Sequence, residues 1–395
     1  HTGAGMRLAN WKPGLDAAKA ATNSSFVALY GMEWGVISNG GHVIVYGVDS
    51  LMNWEAGQYQ IYVAKNAYKG PVGLFNRINK HGGNALAYLA HPNTSDYNDL
   101  AASYDEISDR AVVGAAVESG PAFSTNTSYS NPGSSMSYLS YYNRMLSKGY
   151  YLGPVVDHDN HNFTFGRTAK SRLVILAPEL TEDYLLEGMR SMRFYATQDY
   201  EAKVYFNINS QPMGSVFTDR YAPKITVSTE TSTPVTSIKL MHGVPGSGAY
   251  ATVIASSNGP ELSYTDAALA NLATGYYYLD ITQDNGSRTV TSPIWYTRND
   301  NTVLGVEDEV SIATKFSVWP NPTTGSFKIA LDLNKKENVR VRVLNLTGQV
   351  VLEEEVSGSY GYLEKQLNLT TASKGLHIVQ VQVGAKTLTK KIVVQ

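Results

Sequence analysis

Cysteine is absent from this chain of 395 residues. That absence excludes disulfides, thiolate-bound structural zinc and a cysteine nucleophile together, while leaving the redox compartment open. An excess of one charge sign is also missing, since 32 Lys and Arg face 34 Asp and Glu for a formal net charge of -2. Nucleic-acid binders usually carry a basic patch, so no nucleic-acid partner is expected. No apolar run approaches the roughly 18–20 residues that a membrane-spanning helix needs. The glycine-rich phosphate loops of Walker and dinucleotide type are lacking, as is the Gly-x-Ser-x-Gly elbow of serine hydrolases.

The length suggests two or three domains with ample core. With 27 Tyr and 34 Gly against 10 Phe, and many Ser, Thr and Asn, the composition is one common among exported β-rich proteins. The chain opens at His1 rather than Met, as expected of a processed or truncated product whose targeting segment has gone.

Six of the eight histidines (1, 42, 81, 91, 158, 161, 242 and 377) fall within the first 161 residues. Imidazole chemistry therefore belongs to the N-terminal part. Five apolar runs there read as strands: 26–34 closing on Glu33, 40–47 opening with His42, 85–92 stopping at His91-Pro92, 111–118 closing on Glu118, and 153–161 closing on Asp157-His-Asp-Asn-His161. Helix-like stretches at 72–84, 137–149 and 181–191 lie between them. Alternating strands and helices argue for parallel βα units, with chemistry at the converging C-terminal strand ends. Glu33, His42 and His91 are each weak signals alone. The Asp157–His161 cluster is stronger, because a run of metal-binding side chains directly after an apolar strand has no packing rationale. His81, at a helix C-terminus before Gly82-Gly83, reads as structural, and His242 and His377 lie in β-rich stretches without carboxylates. Nitrogen and oxygen donors without sulfur suit Zn, Mn or Fe. Two or three such ions at one site would perform metal-assisted hydrolysis.

The order Gly31-Met-Glu-Trp34, His42, Ala90-His91-Pro92, Val117-Glu118, Asp159-Asn-His161, Ser171-Arg172 through Ala177 and Arg193 through Asp199 resembles the PHP (polymerase and histidinol phosphatase) superfamily. It is most similar to the CehA/McbA-type metal-dependent hydrolases, over about residues 1–300. The resemblance implies a distorted (β/α)7 barrel over 1–202, missing its first strand, with two to three divalent transition ions (Zn, Mn or Fe). It implies metal ligation by His1, Glu33, His42, His91, Glu118, Asp159 and His161, with Asp157 and His158 as additional contacts. Arg172, or Arg167, would meet an anionic substrate, since guanidinium suits phosphate bidentately. The family's opening His-x-His has no counterpart here. His1 would then belong to the next family motif, placing the first strand and helix upstream of residue 1, cleaved or absent.

From residue 203 to 300, short alternating strands at 204–214, 224–229, 237–241 and 275–286 indicate a β-sandwich appendage. Residues 301–315 read as a linker. Pro320-Asn-Pro322, Leu346-Thr-Gly348, Lys374-Gly-Leu-His-Ile-Val379 and the terminal Lys390-Lys-Ile-Val-Val394 closely resemble the type A sorting domain of the type IX secretion system, over 316–395. That likeness implies a Bacteroidetes-type host, the outer-membrane secretion machinery as partner, and release or surface attachment. The fold expected is thus multidomain α/β plus all-β: barrel, sandwich, small sorting sandwich. The function expected is a secreted hydrolase of small-molecule esters or phosphoesters. The alternative is a non-catalytic surface binding or structural protein on a degenerate barrel. A carboxylate-pair glycosidase is weaker, since Glu33 and Glu118 accompany histidines rather than sugar-stacking tryptophans.

Overall fold

A computed structural model describes residues 5–36, 40–133, 135–300, 313–345, 347–369, 374–384 and 386–395. His1 and most of the expected linker, 301–315, lie outside the described residues. The chain divides into two compact units, residues 1–302 and 303–395.

Among the described residues the first unit shows no (β/α)7 barrel, and the α/β barrel expectation is corrected on this point. Its opening strands β1 (Met32–Val36) and β2 (Gly41–Tyr46) pair antiparallel. Only residues 37–40 join them, whereas a parallel βα unit needs a crossover of a dozen or more residues. Two two-residue strands follow, β3 (Met52–Asn53) and β4 (Ile61–Tyr62), paired parallel to each other. Then come β5 (Leu86–Ala90), β6 (Val112–Ser119) and β7 (Gly153–Asp157). The resulting mixed sheet is open and five-stranded, in the order β1-β2-β5-β6-β7, with β5, β6 and β7 parallel. Apolar runs buried on both faces look alike whether their neighbours run parallel or not, which is why the pattern read as a barrel.

Alternation along the sheet separates two faces. Trp34, Val43, Val45, Ala87 and Leu89 point one way and are fully buried. Trp34 anchors this side with edge-on contacts to Tyr68 and Trp54, at 5.0 and 5.2 Å between ring centroids. Glu33, His42, Ile44, Tyr46, Tyr88 and Ala90 share the other face by register.

The helices lie close to the positions their patterns predict. Leu74–His81 buries Leu74, Phe75 and Ile78, carries Lys80 and His81 in its last turn, and stops at Gly82, whose φ of 71° suits glycine. Leu139–Lys148 buries Tyr141, Tyr142, Met145 and Leu146 and ends on Gly149 in the left-handed region. Glu182–Arg190 starts at Thr181, whose side chain accepts a hydrogen bond from the Tyr184 amide.

Strands β8 (Arg172–Ile175) and β9 (Phe194–Thr197) join a larger sheet with Arg288–Thr291, Thr274–Gln283, Ile294–Arg298 and Val216–Asp219. A four-stranded sheet of Gln211–Pro212, Lys203–Ile208, Lys224–Glu230 and Glu261–Thr265 lies beside it. Phe206, Ile208, Ile225, Ile238, Leu279 and Tyr296 belong to their shared core. The regular elements described in 203–298 are thus strands, and their larger sheet includes the two strands 172–175 and 194–197.

The second unit is an antiparallel sheet of Ala313–Trp319, Ser326–Leu344, Val350–Asn368, Gly375–Val383 and Lys386–Val394. Strict alternation buries Ile329, Leu331, Val339, Val341, Val343, Val379 and Val381. His377 is buried in this unit, with Nδ1 3.2 Å from the Gly375 carbonyl.

Candidate metal centre

The polar face of the five-stranded sheet carries the site. Because Glu33 sits two residues from Gly35, the partner of His42, the β1–β2 hairpin places carboxylate and imidazole diagonally on one face. His42 pairs with Ala90, so the next residue, His91, leaves β5 beside it. His42 Nδ1 stands 2.6 Å from Glu33 Oε1 and 3.2 Å from His91 Nε2, and His91 Nε2 lies 3.7 Å from the same Glu33 oxygen. One ligand atom from each of Glu33, His42 and His91 therefore falls within 4.8 Å of the others. Tyr97 fixes the backbone beneath them, its hydroxyl donating to the carbonyls of Ala90 at 2.8 Å and His42 at 3.2 Å.

A cavity of about 330 Å³ is lined by Glu33 and His91 of this triad, by Asp157, Asp159, Asn160 and His161, and by Ile44, Tyr46, Tyr88 and Ala90. The first and last donors expected within the described residues, Glu33 and His161, are thus brought to one cavity. They come from a sheet face and two following loops rather than from barrel strand ends. His91 and Asp159 adopt φ of 33° and 46°, a region costly for residues other than glycine and concentrated at functional sites. His161 is held by Nδ1 2.6 Å from the Asp159 carbonyl.

Burial raises the Glu33 carboxyl, but hydrogen bonds from His42 and His91 outweigh it and bring it down to about 2. The Glu33 hydrogen bond raises His91 above the ordinary imidazole value, against its burial. Burial pushes Asp157 up to about 7, opposed by the hydrogen bond that Ser119 donates to Oδ1. Its Oδ2 is buried with no hydrogen-bond partner among the described residues. Burial and the Glu33 charge raise Asp159 as well.

Glu118, His158 and Arg172 lie elsewhere. A β-bulge between Ala116 and Glu118 places Ser119, not Glu118, opposite Asp157. A one-residue slip turns a side chain to the other face of a sheet. Glu118 is fully buried there, accepting from Ser171 Oγ at 2.7 Å and Gln198 Nε2 at 2.8 Å. His158 spans the Ser171 carbonyl at 3.0 Å and Thr168 Oγ1 at 3.1 Å, and burial lowers its pKa. Arg172 donates to the carbonyls of Ala169 and Ser171 and lies against the rings of Tyr129 and Tyr200. Arg167 Nε donates to the Thr164 carbonyl. His81 pairs with Asp49 at 3.0 Å, and His242 lies against Tyr277 with Nε2 unpartnered among the described residues.

Sequence reasoning missed Ser119, Tyr46 and Tyr88. The spacing His42, Ile44, Tyr46 along one strand was the available signal for the first tyrosine.

The donor set fits a divalent transition ion. Two imidazoles and a carboxylate converge, a further buried carboxylate oxygen has no partner, and no thiolate is present.

Residues 317–395 match the model of the secretion system C-terminal sorting domain. That tail directs the protein through type IX secretion to the cell surface or the extracellular space. No match to the PHP family or its CehA-type branch is found. An uncharacterised protein of Chlamydia muridarum is 29% identical over 156 residues, covering 36% of this chain and 24% of its own. One of Chlamydia trachomatis is 26% identical over 178 residues, covering 41% of this chain and 29% of its own. The chain thus spans about a quarter of these relatives' length. Among solved structures, the D00-D0 domain of intimin shows 11% identity and a TM-score of 0.24, over 49% of this chain and 100% of that one. The human OSCAR ligand-binding domain shows 10% identity and a TM-score of 0.25, over 48% and 97%. Scores this low assign neither fold nor activity.

Proposed function

We propose that this exported protein works outside the cell as a metal-dependent ligand-binding protein. Glu33, His42 and His91 would hold a divalent transition ion, with Asp159 and His161 on the same cavity. The observation that carries the reading is the convergence within 4.8 Å of three donors, two from the strands β1 and β2 and one from the residue that follows β5. Their chemistry supports Zn, Mn or Fe. When bound, such an ion attracts and polarises an oxyanion and lowers the pKa of water. The chain's own groups supply the rest. The Tyr97 hydroxyl fixes the strand carbonyls beside His42 and His91. Glu33 keeps both imidazoles turned toward one point. Tyr46, Tyr88 and Ile44 wall the cavity so that a ligand enters a partly dry space.

The test is metal analysis of the full chain as purified, followed by calorimetric titration of chelator-treated protein with Zn and Mn. At least one equivalent should bind, and Glu33→Gln should lose it. Protein that purifies metal-free and takes up neither ion sinks the reading.

A second reading, hydrolysis of an ester or phosphoester, is favoured by the unpartnered Asp157 oxygen beside this cavity, placed where a carboxylate can relay a proton. EDTA-sensitive turnover of an aryl phosphate or aryl ester supports it. Metal-loaded protein that binds phosphate yet turns over neither compound removes it and leaves the binding reading intact.

A further inference from the structure

Three phenylalanines lie on the loop that carries His161 or on the loop packed against it, and all three are exposed. Phe123, Phe163 and Phe165 are 77%, 89% and 78% exposed. No other phenylalanine among the described residues exceeds 55%. Apolar rings normally leave water at about 25 cal/mol per Å² buried, so exposed ones grouped at a cavity mark a contact surface. Phe123 stacks on the ring of His161, itself a cavity residue, with centroids 4.8 Å apart and planes tilted by 34°. Phe163 and Phe165 follow His161 by two and four residues, so the chain keeps them within about 14 Å of it. Their rings stand 6.2 Å apart.

The two loops are tied together. The His161 amide donates to the Ala122 carbonyl at 2.9 Å, and Asn162 Nδ2 donates to the carbonyls of Phe123 at 3.0 Å and Ser124 at 3.2 Å. Phe165 is held at φ 45°, a conformation bulky side chains avoid.

We infer that Phe123, Phe163 and Phe165 form an apolar collar that takes the aromatic body of a small ligand whose oxyanion head enters the cavity lined by Glu33, His91 and His161. The inference rests on the metal-binding reading for its head group and names the ligand class. A cavity of about 330 Å³ is the size of a small-molecule site. A ligand ring beside Phe123 would extend the stack that begins at His161, and offset or edge-on ring pairs of this kind are favourable.

The experiment compares phenyl phosphate with inorganic phosphate by calorimetry on the full chain loaded with Mn or Zn, with metal content measured on each sample. Phenyl phosphate should bind about tenfold tighter. In the Phe123→Ala/Phe163→Ala/Phe165→Ala protein the preference should fall below about twofold. Phe123→Leu, which keeps bulk, should lose only part of it. All three side chains are solvent-exposed, and thermal melting checks that the variants fold.

Metal-loaded protein with equal affinity for the two compounds overturns the collar. Co-sedimentation with vesicles of mixed neutral and anionic phospholipid, abolished in the triple variant and without any phenyl preference, overturns it in favour of a membrane contact. Metal-free protein that still prefers phenyl phosphate keeps the collar and sinks the metal reading. Metal-free protein with no preference overturns both.

Discussion

Glu33 is the residue on which the centre turns. Its Oε1 lies within 4 Å of nitrogens from both His42 and His91, so removing its charge leaves two imidazoles facing each other without an anion. Glu33→Gln and His91→Ala should each lower bound metal at least tenfold by elemental analysis. His161→Ala should lower it as well, while His81→Ala, whose ring is engaged with Asp49, should leave it unchanged. Equal loss at positions 81 and 161 would mean that the histidines facing the centre are misassigned. Glu118 belongs to a different energetic class. It is a fully buried carboxylate satisfied by two donors, and Glu118→Ala would strand Ser171 and Gln198. A loss of about 2–4 kcal/mol in denaturant unfolding is expected, with metal content preserved. Glu33, His42, His91, Asp159 and His161 were legible as a candidate set because nothing in packing calls for so many metal-binding groups beside apolar strands. Glu118 was misplaced because its orientation depends on a bulge, which shifts a side chain by half a strand period without leaving a mark in the residue pattern.

Elements obeyed local rules better than their connections did. The helices Leu74–His81, Leu139–Lys148 and Glu182–Arg190 are amphipathic or capped and lie inside the stretches expected. The first strand begins at Met32 instead of Phe26, which is half-exposed and forms an isolated bridge to Asn23. Strand direction was not legible, because a buried apolar run has the same pattern in either sense. One helix also carries a pH response of its own. In Glu106–Ala111, burial raises the Asp109 carboxyl to about 6, despite hydrogen bonds from the Tyr151 amide and the Tyr104 hydroxyl. A raised folded pKa favours the protonated folded state. Its stabilising contribution is therefore complete below about pH 4 and is lost as pH rises through about 6. The stability of the parent relative to Asp109→Asn should fall over that window, by on the order of 1–2 kcal/mol after allowance for partial exposure. A difference that stays flat between pH 4 and 7 in denaturant titrations would contradict this.

On the scale of the whole molecule, the sorting tail and the Glu33–His42–His91 cluster lie in separate parts of the chain. The second unit has its own apolar core, and its residues 317–395 match the sorting domain. Deletion of 317–395 should leave the protein inside the cell envelope, measured by fractionation and immunoblotting, while metal binding by residues 1–302 is retained. Appearance of the truncated chain in the medium at the parent level would contradict the export assignment. This part of the architecture was the most legible, because Pro320-Asn-Pro322, Leu346-Thr-Gly348 and Lys390-Lys-Ile-Val-Val394 recur in fixed order. The barrel was the least legible, since topology is settled by pairing between distant strands and not by any one segment.

The five-stranded sheet keeps its apolar packing on one side, with Trp34, Val43, Val45 and Leu89, and its donors on the reverse. Replacing the donors therefore leaves the Trp34 side untouched, but His42 is itself buried and Glu33 is held ionised by the two imidazoles, so their removal has a cost of its own. A change at this face should therefore register in the carboxylate–imidazole pairing and leave the indole packing on the opposite side intact.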